Sequence, residues 1–200
     1  MDGTNTYTGT TVIENGSLAL GASGSIVDSS GIVLNGGDFN VSAVSGGYTL
    51  AATQSLSGNG TVTGDLNISG NLAIGASPGT IDFTGNLGLN SGSTSSFEFT
   101  VGSFTTNSFD LAIGTGTVTF GGTLNLLFDG ATSYADSSTV QIFDFSSGYA
   151  GNFSTVKFSG LGSGQSAIFD SSTGFVTVVP EPAAALIGGL GMLFLLRRRR

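Results

Sequence analysis

Two consecutive fifteen-residue segments share one pattern, and this repetition limits the fold more than any other feature of the chain. Residues 64–78 read GDLNISGNLAIGASP and residues 79–93 read GTIDFTGNLGLNSGS. Both contain two apolar–polar–apolar units, which have the period of a β-strand with one buried face. We therefore predict burial of eight side chains and outward orientation of the residues between them. The eight are Leu66, Ile68, Leu72, Ile74, Ile81, Phe83, Leu87 and Leu89; the outward residues are Asn67, Ala73, Asp82 and Gly88.

The predicted strands are only three to five residues long, and strands this short need neighbours that share a continuous core. A weaker repetition lies upstream, where the pair Leu18/Leu20 matches the pair Ile32/Leu34 at an offset of 14 residues. The chain also holds 34 glycines among 200 residues, which suits many tight turns. We predict an all-β fold, specifically a β-solenoid of the right-handed parallel β-helix type, with Asn71 and Asn86 stacked at a corner. A β-sandwich with accidental repetition is the alternative.

The first part of the chain, residues 1–93, resembles a known repeat family. Residues 5–21 read NTYTGTTVIENGSLALG, and residues 77–80 read SPGT before Ile81 and Phe83. This pattern is similar to the autotransporter-associated β-strand repeat. The resemblance implies a β-helical passenger that is exposed on, or released from, the cell surface. The chain departs from that family because no outer-membrane barrel follows.

Residues 94–179 differ in composition, because phenylalanine is much denser there. We predict a Phe-rich β cap that closes the solenoid, or a small sandwich. Within it, Thr117 to Phe120, then Gly121-Gly122, then Thr123 to Leu126 fit a two-residue hairpin. The phenylalanines are Phe97, Phe99, Phe104, Phe109, Phe120, Phe128, Phe143, Phe145, Phe153, Phe158, Phe169 and Phe175.

The last segment, residues 180–200, combines a prolyl-acidic motif, a short apolar stretch and a basic end. The motif is Pro180-Glu181-Pro182, the uncharged stretch covers residues 183–196, and the chain ends in Arg197, Arg198, Arg199 and Arg200. This order resembles the PEP-CTERM sorting signal of Gram-negative bacteria. The resemblance implies recognition by a membrane-embedded processing enzyme of the exosortase type. We predict a short hydrophobic helix that enters the membrane, although fourteen residues reach only about 21 Å. A short permanent tail anchor is the alternative.

Charge and residue types limit the possible chemistry. Before residue 180 the chain holds twelve acidic residues and one basic residue, Lys157, so we expect no nucleic-acid partner. His and Cys are absent, which excludes Ser-His-Asp and Cys-His catalysis and the usual zinc sites. The carboxylates are scattered, and we interpret them as solvated turn residues. Residues 35–38, NGGD, only faintly resemble a calcium-binding β-roll repeat. We therefore predict no enzyme activity, no catalytic residue, no cofactor and no metal site.

Together these features predict an exported bacterial protein with a structural or adhesive role at the cell surface or in the extracellular matrix. We expect transient anchoring in the inner membrane, the processing enzyme as a partner, and exopolysaccharide as a further partner. Met1 is followed by no basic and apolar leader, so we expect this chain to be the C-terminal part of a longer protein or to begin at a misassigned start. One alternative is the C-terminal part of a polysaccharide-active enzyme. The other is a carbohydrate-binding module whose sugar platforms would be Tyr7, Tyr48, Tyr134 and Tyr149.

Overall fold

Parallel strands dominate the computed structural model, which describes residues 1–75, 78–100, 104, 108–130 and 134–181. Nineteen strands and no helix make up the regular structure of these residues. The all-β prediction is confirmed, and the parallel pairing is consistent with a solenoid. The predicted C-terminal helix lies outside the described residues, as do Pro182 and the four arginines.

The chain passes repeatedly through three stacks of parallel strands, which we name columns A, B and C. Column A contains β1 (Thr11–Ile13), the first half of β3 (Gly31–Asn40), the first half of β5 (Ser55–Thr63), β7 (Asn71–Ile74), β10 (Thr94–Phe99), β13 (Thr123–Phe128) and β17 (Thr155–Ser159). Column B contains β2 (Ser17–Ala19), the second halves of β3 and β5, β8 (Thr80–Phe83), β11 (Leu111–Gly114) and β15 (Phe143–Phe145). Column C contains β4 (Tyr48–Leu50), β6 (Leu66–Ile68), β9 (Leu87–Leu89), β12 (Val118–Phe120) and β16 (Tyr149–Gly151).

One pass through columns A, B and C makes a coil. Columns A and B belong to one sheet of eleven strands, which the long strands β3 and β5 join, and column C forms a separate sheet of five. β5 turns from column A into column B near Gly58, whose φ of +96° suits glycine and few other residues. A side chain there would also meet the Leu34 carbonyl oxygen at 2.0 Å from its Cβ. The bend is therefore fixed by the absence of a side chain.

Alternating side chains fill the space between the columns. The eight apolar residues predicted to be buried are all at most 3% exposed, and the four residues between them are half-buried or exposed. Both the predicted burial and the predicted outward orientation are confirmed. The stack of Ile32, Leu56 and Leu72 inside column A illustrates the packing, since each is fully buried. Burial of one such side chain contributes roughly 2 kcal/mol.

The fifteen-residue offset, in contrast, is not the spacing between coils. Leu66 pairs with Leu87, 21 positions later, and not with Ile81. Ile81 lies in column B, where it pairs with Ala112. The offset of 14 upstream fails in the same way, because Leu18 pairs with Phe39. The physical reason is that each coil contains three short strands whereas the repeated segment contains two, so the segment repeats before the chain completes a coil.

Two local predictions at corners are also wrong. β12 and β13 lie in different sheets, so Gly121 and Gly122 turn the chain from column C into column A and do not form a hairpin. Gly122 has a φ of +69°, and its Cβ would sit 2.2 Å from the Ser93 carbonyl oxygen. Asn71 and Asn86 do not stack on each other either. Asn71 pairs with Ser55 and Thr94 in column A, because its strand starts a coil.

Parallel pairing continues across residue 93, the boundary chosen from composition. β7 pairs with β10, β8 pairs with β11 and β9 pairs with β12, so the Phe-rich segment extends all three columns. A separate three-stranded antiparallel sheet follows, made of β14 (Thr139–Gln141), β18 (Gln165–Asp170) and β19 (Phe175–Pro180). Phe169 of β18 packs on Phe120, Phe143 and Phe153 with ring centroids 5.2, 5.9 and 5.4 Å away. This sheet therefore covers the core where columns B and C end.

Candidate functional site

The connections from column A to column B create a cleft on one side of the stack. Three successive coils contribute to it: Gly79 and its neighbours from one, Phe104 and Phe109 from the next, and Val140 from the third. The cleft has a volume of about 270 Å³. Its described lining is Pro78, Gly79, Thr80, Phe104, Phe109, Leu111 and Val140. These side chains carry no charge, so the cleft suits a small apolar or aromatic group.

Asp110 lies next to this lining, between Phe109 and Leu111, and is fully buried. One carboxylate oxygen accepts a hydrogen bond from the Gly79 backbone N–H at 2.9 Å. The other accepts one from the Glu98 backbone N–H at 2.8 Å. Because Gly79 and Glu98 belong to different coils, the carboxylate links the connections of two coils.

Burial, with a smaller contribution from the negative charge of Glu98, raises the pKa of Asp110 to about 6. The two backbone N–H groups act in the opposite direction, since they stabilise the charged form. Both oxygens are occupied and the side chain is closed off from water, so the group cannot contact a molecule in the cleft. The arrangement acts as a structural link between coils.

The outer surface carries further polar links between coils. Asp38, the acidic residue of the calcium-like NGGD segment, accepts hydrogen bonds from the hydroxyls of Ser17 at 2.8 Å and Thr63 at 2.9 Å. Its carboxylate thus joins three successive coils. In residues 1–75, 78–100, 104, 108–130 and 134–181, no three acidic residues come close enough together to hold a metal ion.

A second polar ladder runs along the corner between columns B and C. The Asp65 carboxylate accepts hydrogen bonds from the backbone N–H and the side-chain amide of Asn86, at 2.8 and 3.1 Å. The Asn86 side-chain oxygen in turn accepts the Thr117 backbone N–H at 2.9 Å. Asn86 therefore belongs to a ladder at a corner, as predicted, but its hydrogen-bond partners are Asp65 and Thr117 and not Asn71.

The tyrosines proposed as sugar platforms do not form an exposed row. Tyr48 and Tyr134 are buried at 6% and 2% exposure. The half-buried Tyr149 has its hydroxyl engaged, since it donates to the Phe143 carbonyl oxygen at 3.0 Å. Tyr7 is exposed, and its hydroxyl lies 2.8 Å from that of Thr11. Only Tyr7 among the four presents a substantial part of its ring to solvent.

The start of the sorting motif is attached to the folded part of the chain. Pro180 ends β19 and pairs with Gln165 of β18. The Glu181 backbone N–H donates to the Gly164 carbonyl oxygen at 2.8 Å, while the residue itself is exposed. The structure thus places two of the seven predicted sorting residues; Pro182, Arg197, Arg198, Arg199 and Arg200 lie outside the described ranges. Within those ranges, no helix has the length and apolar character needed to cross a membrane.

Sequence reasoning missed two buried polar side chains that join coils, Asp110 and Gln54. The Gln54 amide donates to the carbonyl oxygens of Ile26 at 2.9 Å and Ser29 at 2.8 Å. Its side-chain oxygen accepts the Ala51 backbone N–H at 3.0 Å. The only sequence signal for Asp110 is its position between two apolar residues, directly before a strand.

Comparison with protein families, with curated proteins and with solved structures finds no match for this chain.

Proposed function

We propose that this protein is an exported bacterial surface or extracellular-matrix protein with a structural or adhesive role. In this proposal its body is a right-handed parallel β-helix that acts as a stiff spacer. Its Phe-rich C-terminal part ends the helix with the antiparallel sheet of β14, β18 and β19, and residues 180–200 are a PEP-CTERM-like sorting signal. The protein is anchored transiently in the inner membrane and then delivered to the cell surface or matrix, where exopolysaccharide is a partner.

The observation that carries the spacer role is the uninterrupted parallel pairing of column A. Its seven strands run from β1 to β17 with each interior strand paired on both sides. At about 4.8 Å per strand, the column is about 29 Å long. Force applied along such a stack loads many backbone hydrogen bonds and the apolar core together. Right-handedness rests on the strong general preference of parallel crossover connections for that hand.

The sorting role rests on the resemblance of the tail and on where the folded part ends. The motif begins at the last residue of β19, and Glu181 is exposed, so a processing enzyme could reach it. Residues 183–196 must satisfy their backbone hydrogen bonds internally to enter a bilayer, and a helix does so. The terminal arginines favour the cytoplasmic side. The non-enzymatic role rests on residue types, since the chain lacks His and Cys, and on the occupied oxygens of Asp110.

The sorting proposal is tested by replacing Pro180-Glu181-Pro182 with three alanines in a host that has an exosortase-type enzyme. We expect an unprocessed protein that stays in the inner-membrane fraction, whereas the parent protein is shortened and released. Glu14→Ala, which also removes an exposed glutamate, is the matched control and should be processed normally. Intact mass and cell fractionation give the readout. Normal processing of the triple-alanine variant would leave a plain tail anchor as the better explanation.

A further inference from the structure

Among the described residues, the first and the last strand of column A are each paired on one side only. β17 pairs with β13 on one side, and β1 pairs with β3 on one side. No other strand of the described residues pairs with either of them. Free edges present unpaired N–H and C=O groups, and many proteins guard them with an inward-pointing charge.

The inward positions of these two edge strands are not charged. Val156 and Phe158 of β17 pair with the fully buried Leu124 and Leu126, so they face the core side of column A. Even so, they are 38% and 41% exposed. Lys157 lies between them and faces outward, and therefore does not guard the inner side of the edge.

The opposite end offers a matching edge. Thr11 and Ile13 of β1 pair with the buried Ile32 and Leu34, so they also face inward. A wide depression of about 630 Å³ lies beside them, lined in part by Tyr7 and Leu18. Thr11 is half-buried and Ile13 is only 6% exposed, so this edge offers uncharged inward-facing side chains at the same two-residue spacing as β17.

We propose that β17 of one copy pairs in parallel with β1 of a second copy, so that column A continues from molecule to molecule. Aligning the inward positions sets Val156 beside Thr11 and Phe158 beside Ile13. The same register sets the outward Lys157 beside Val12.

Charge supports this partner. In the proposed register Glu14 of the second copy lies diagonally from Lys157, at a distance of about 7–8 Å that a lysine side chain can bridge. Lys157 is the only lysine or arginine before Arg197, so the single cation of the body meets an anion of the other end. Pairing β17 with a second β17 would instead place two Lys157 residues opposite each other, which is unfavourable.

The contact is limited to column A, because the β18–β19 sheet covers the core where columns B and C end. It joins two different surfaces, so it does not close on a pair of molecules and generates chains of copies. Such chains would lengthen the proposed spacer, and in this respect the inference goes beyond the proposed function.

The test is sedimentation velocity of the full chain over a range of concentrations, in a non-ionic detergent that holds the apolar tail. We expect larger species to form as concentration rises. Phe158→Lys places a charge on the inner side of the edge and should weaken association about ten-fold or more. Leu127→Lys makes the same charge change on the outward side of the neighbouring β13 and should associate like the parent. Circular dichroism and the melting temperature check that both variants fold.

A charge exchange gives a second test that does not depend on Phe158. Lys157→Glu alone and Glu14→Lys alone should each weaken association about three-fold. The double variant restores one opposite pair at every contact and should recover the parent behaviour. A parent protein that stays monomeric would overturn the proposal. Equal association of Phe158→Lys, Leu127→Lys and the parent would also overturn it, and would assign association to the tail.

Discussion

Replacement of Asp110 by asparagine should change how stability depends on pH. Burial raises the pKa of Asp110 from its ordinary value of 3.8 to about 6 in the folded protein. Each unit of pKa shift corresponds to about 1.4 kcal/mol. The rise therefore means that the folded protein favours the protonated form over the charged form by about 3 kcal/mol more than the unfolded chain does. Asparagine cannot titrate, so the Asp110→Asn variant should lack this pH-dependent contribution.

The sign follows from proton uptake. Between pH 4 and pH 6 the folded protein binds more protons at Asp110 than the unfolded chain does, so the free energy of unfolding falls as the pH rises. The charged carboxylate therefore lowers stability above pH 6, and the effect disappears below about pH 4. We expect the free-energy difference between the parent protein and Asp110→Asn to move against the parent by about 2.4 kcal/mol from pH 4 to pH 7.

Urea unfolding followed by circular dichroism at several pH values measures this difference. Asp170→Asn is the control, because hydrogen bonds from Ser172 and Thr173 lower the pKa of the exposed Asp170. Its contribution should stay nearly constant from pH 4 to pH 7 and be lost only as the pH falls further. Carbon-13 NMR of the Asp110 carboxyl group gives a direct midpoint. A midpoint near 4, or a constant difference between parent and Asp110→Asn, would refute the reasoning.

Three other substitutions, two of them with a control variant, and two treatments test the packing, the lack of a metal and the lack of enzyme activity. Phe83→Ala should lower the unfolding free energy by about 3–5 kcal/mol, because the ring is fully buried, whereas exposed Val12→Ala should cost less than about 0.5 kcal/mol in the same urea titration. Gly122→Ala should cost more than about 2 kcal/mol through its close approach to a carbonyl oxygen, and Gly9→Ala, which has open space, should not lower the melting temperature. Gln54→Leu should cost about 2 kcal/mol by removing three buried hydrogen bonds to the backbone, as differential scanning calorimetry would show. A chelator should leave the melting temperature unchanged, and incubation with polysaccharides should release no sugar; reproducible sugar release would contradict the non-enzymatic proposal.

The sequence predicts which side chains face the core but not how the strands stack. Leu66 and Ile68 show alternation that specifies one buried face, and this is a local property of three residues. The partner of Leu66 depends on how many strands and how long a loop the chain passes before it returns to column C. Coil spacing varies, as 21 positions separate Leu66 from Leu87 but 32 separate Leu126 from Phe158. No local pattern contains that information.

The candidate site was less predictable for a related reason. Asp110 looks like the other acidic residues of the chain, and only the stacking of two coils brings the N–H groups of Gly79 and Glu98 to its oxygens. The phenylalanines were expected to mark a closing structure. Instead, Phe97 and Phe143 continue the core of the coils, while Phe169 covers its end. A high density of phenylalanine indicates that many side chains must be buried. It does not indicate whether they lie inside the coils or cover the end of the stack.

Cysteine crosslinking between neighbouring coils tests the stacking most directly, because the chain has no cysteine of its own. Asn67 pairs with Gly88 in column C. A Cβ at position 88 would come too close only to the Asn67 side chain, and the double variant Asn67→Cys/Gly88→Cys replaces that side chain. Paired strands lie about 4.8 Å apart, within reach of a disulfide or a short thiol crosslinker. At low protein concentration, peptide mapping should find the 67–88 crosslink and none in Asn67→Cys/Asp82→Cys. Crosslinking of 67 to 82, and not of 67 to 88, would contradict the stacking and restore the fifteen-residue spacing.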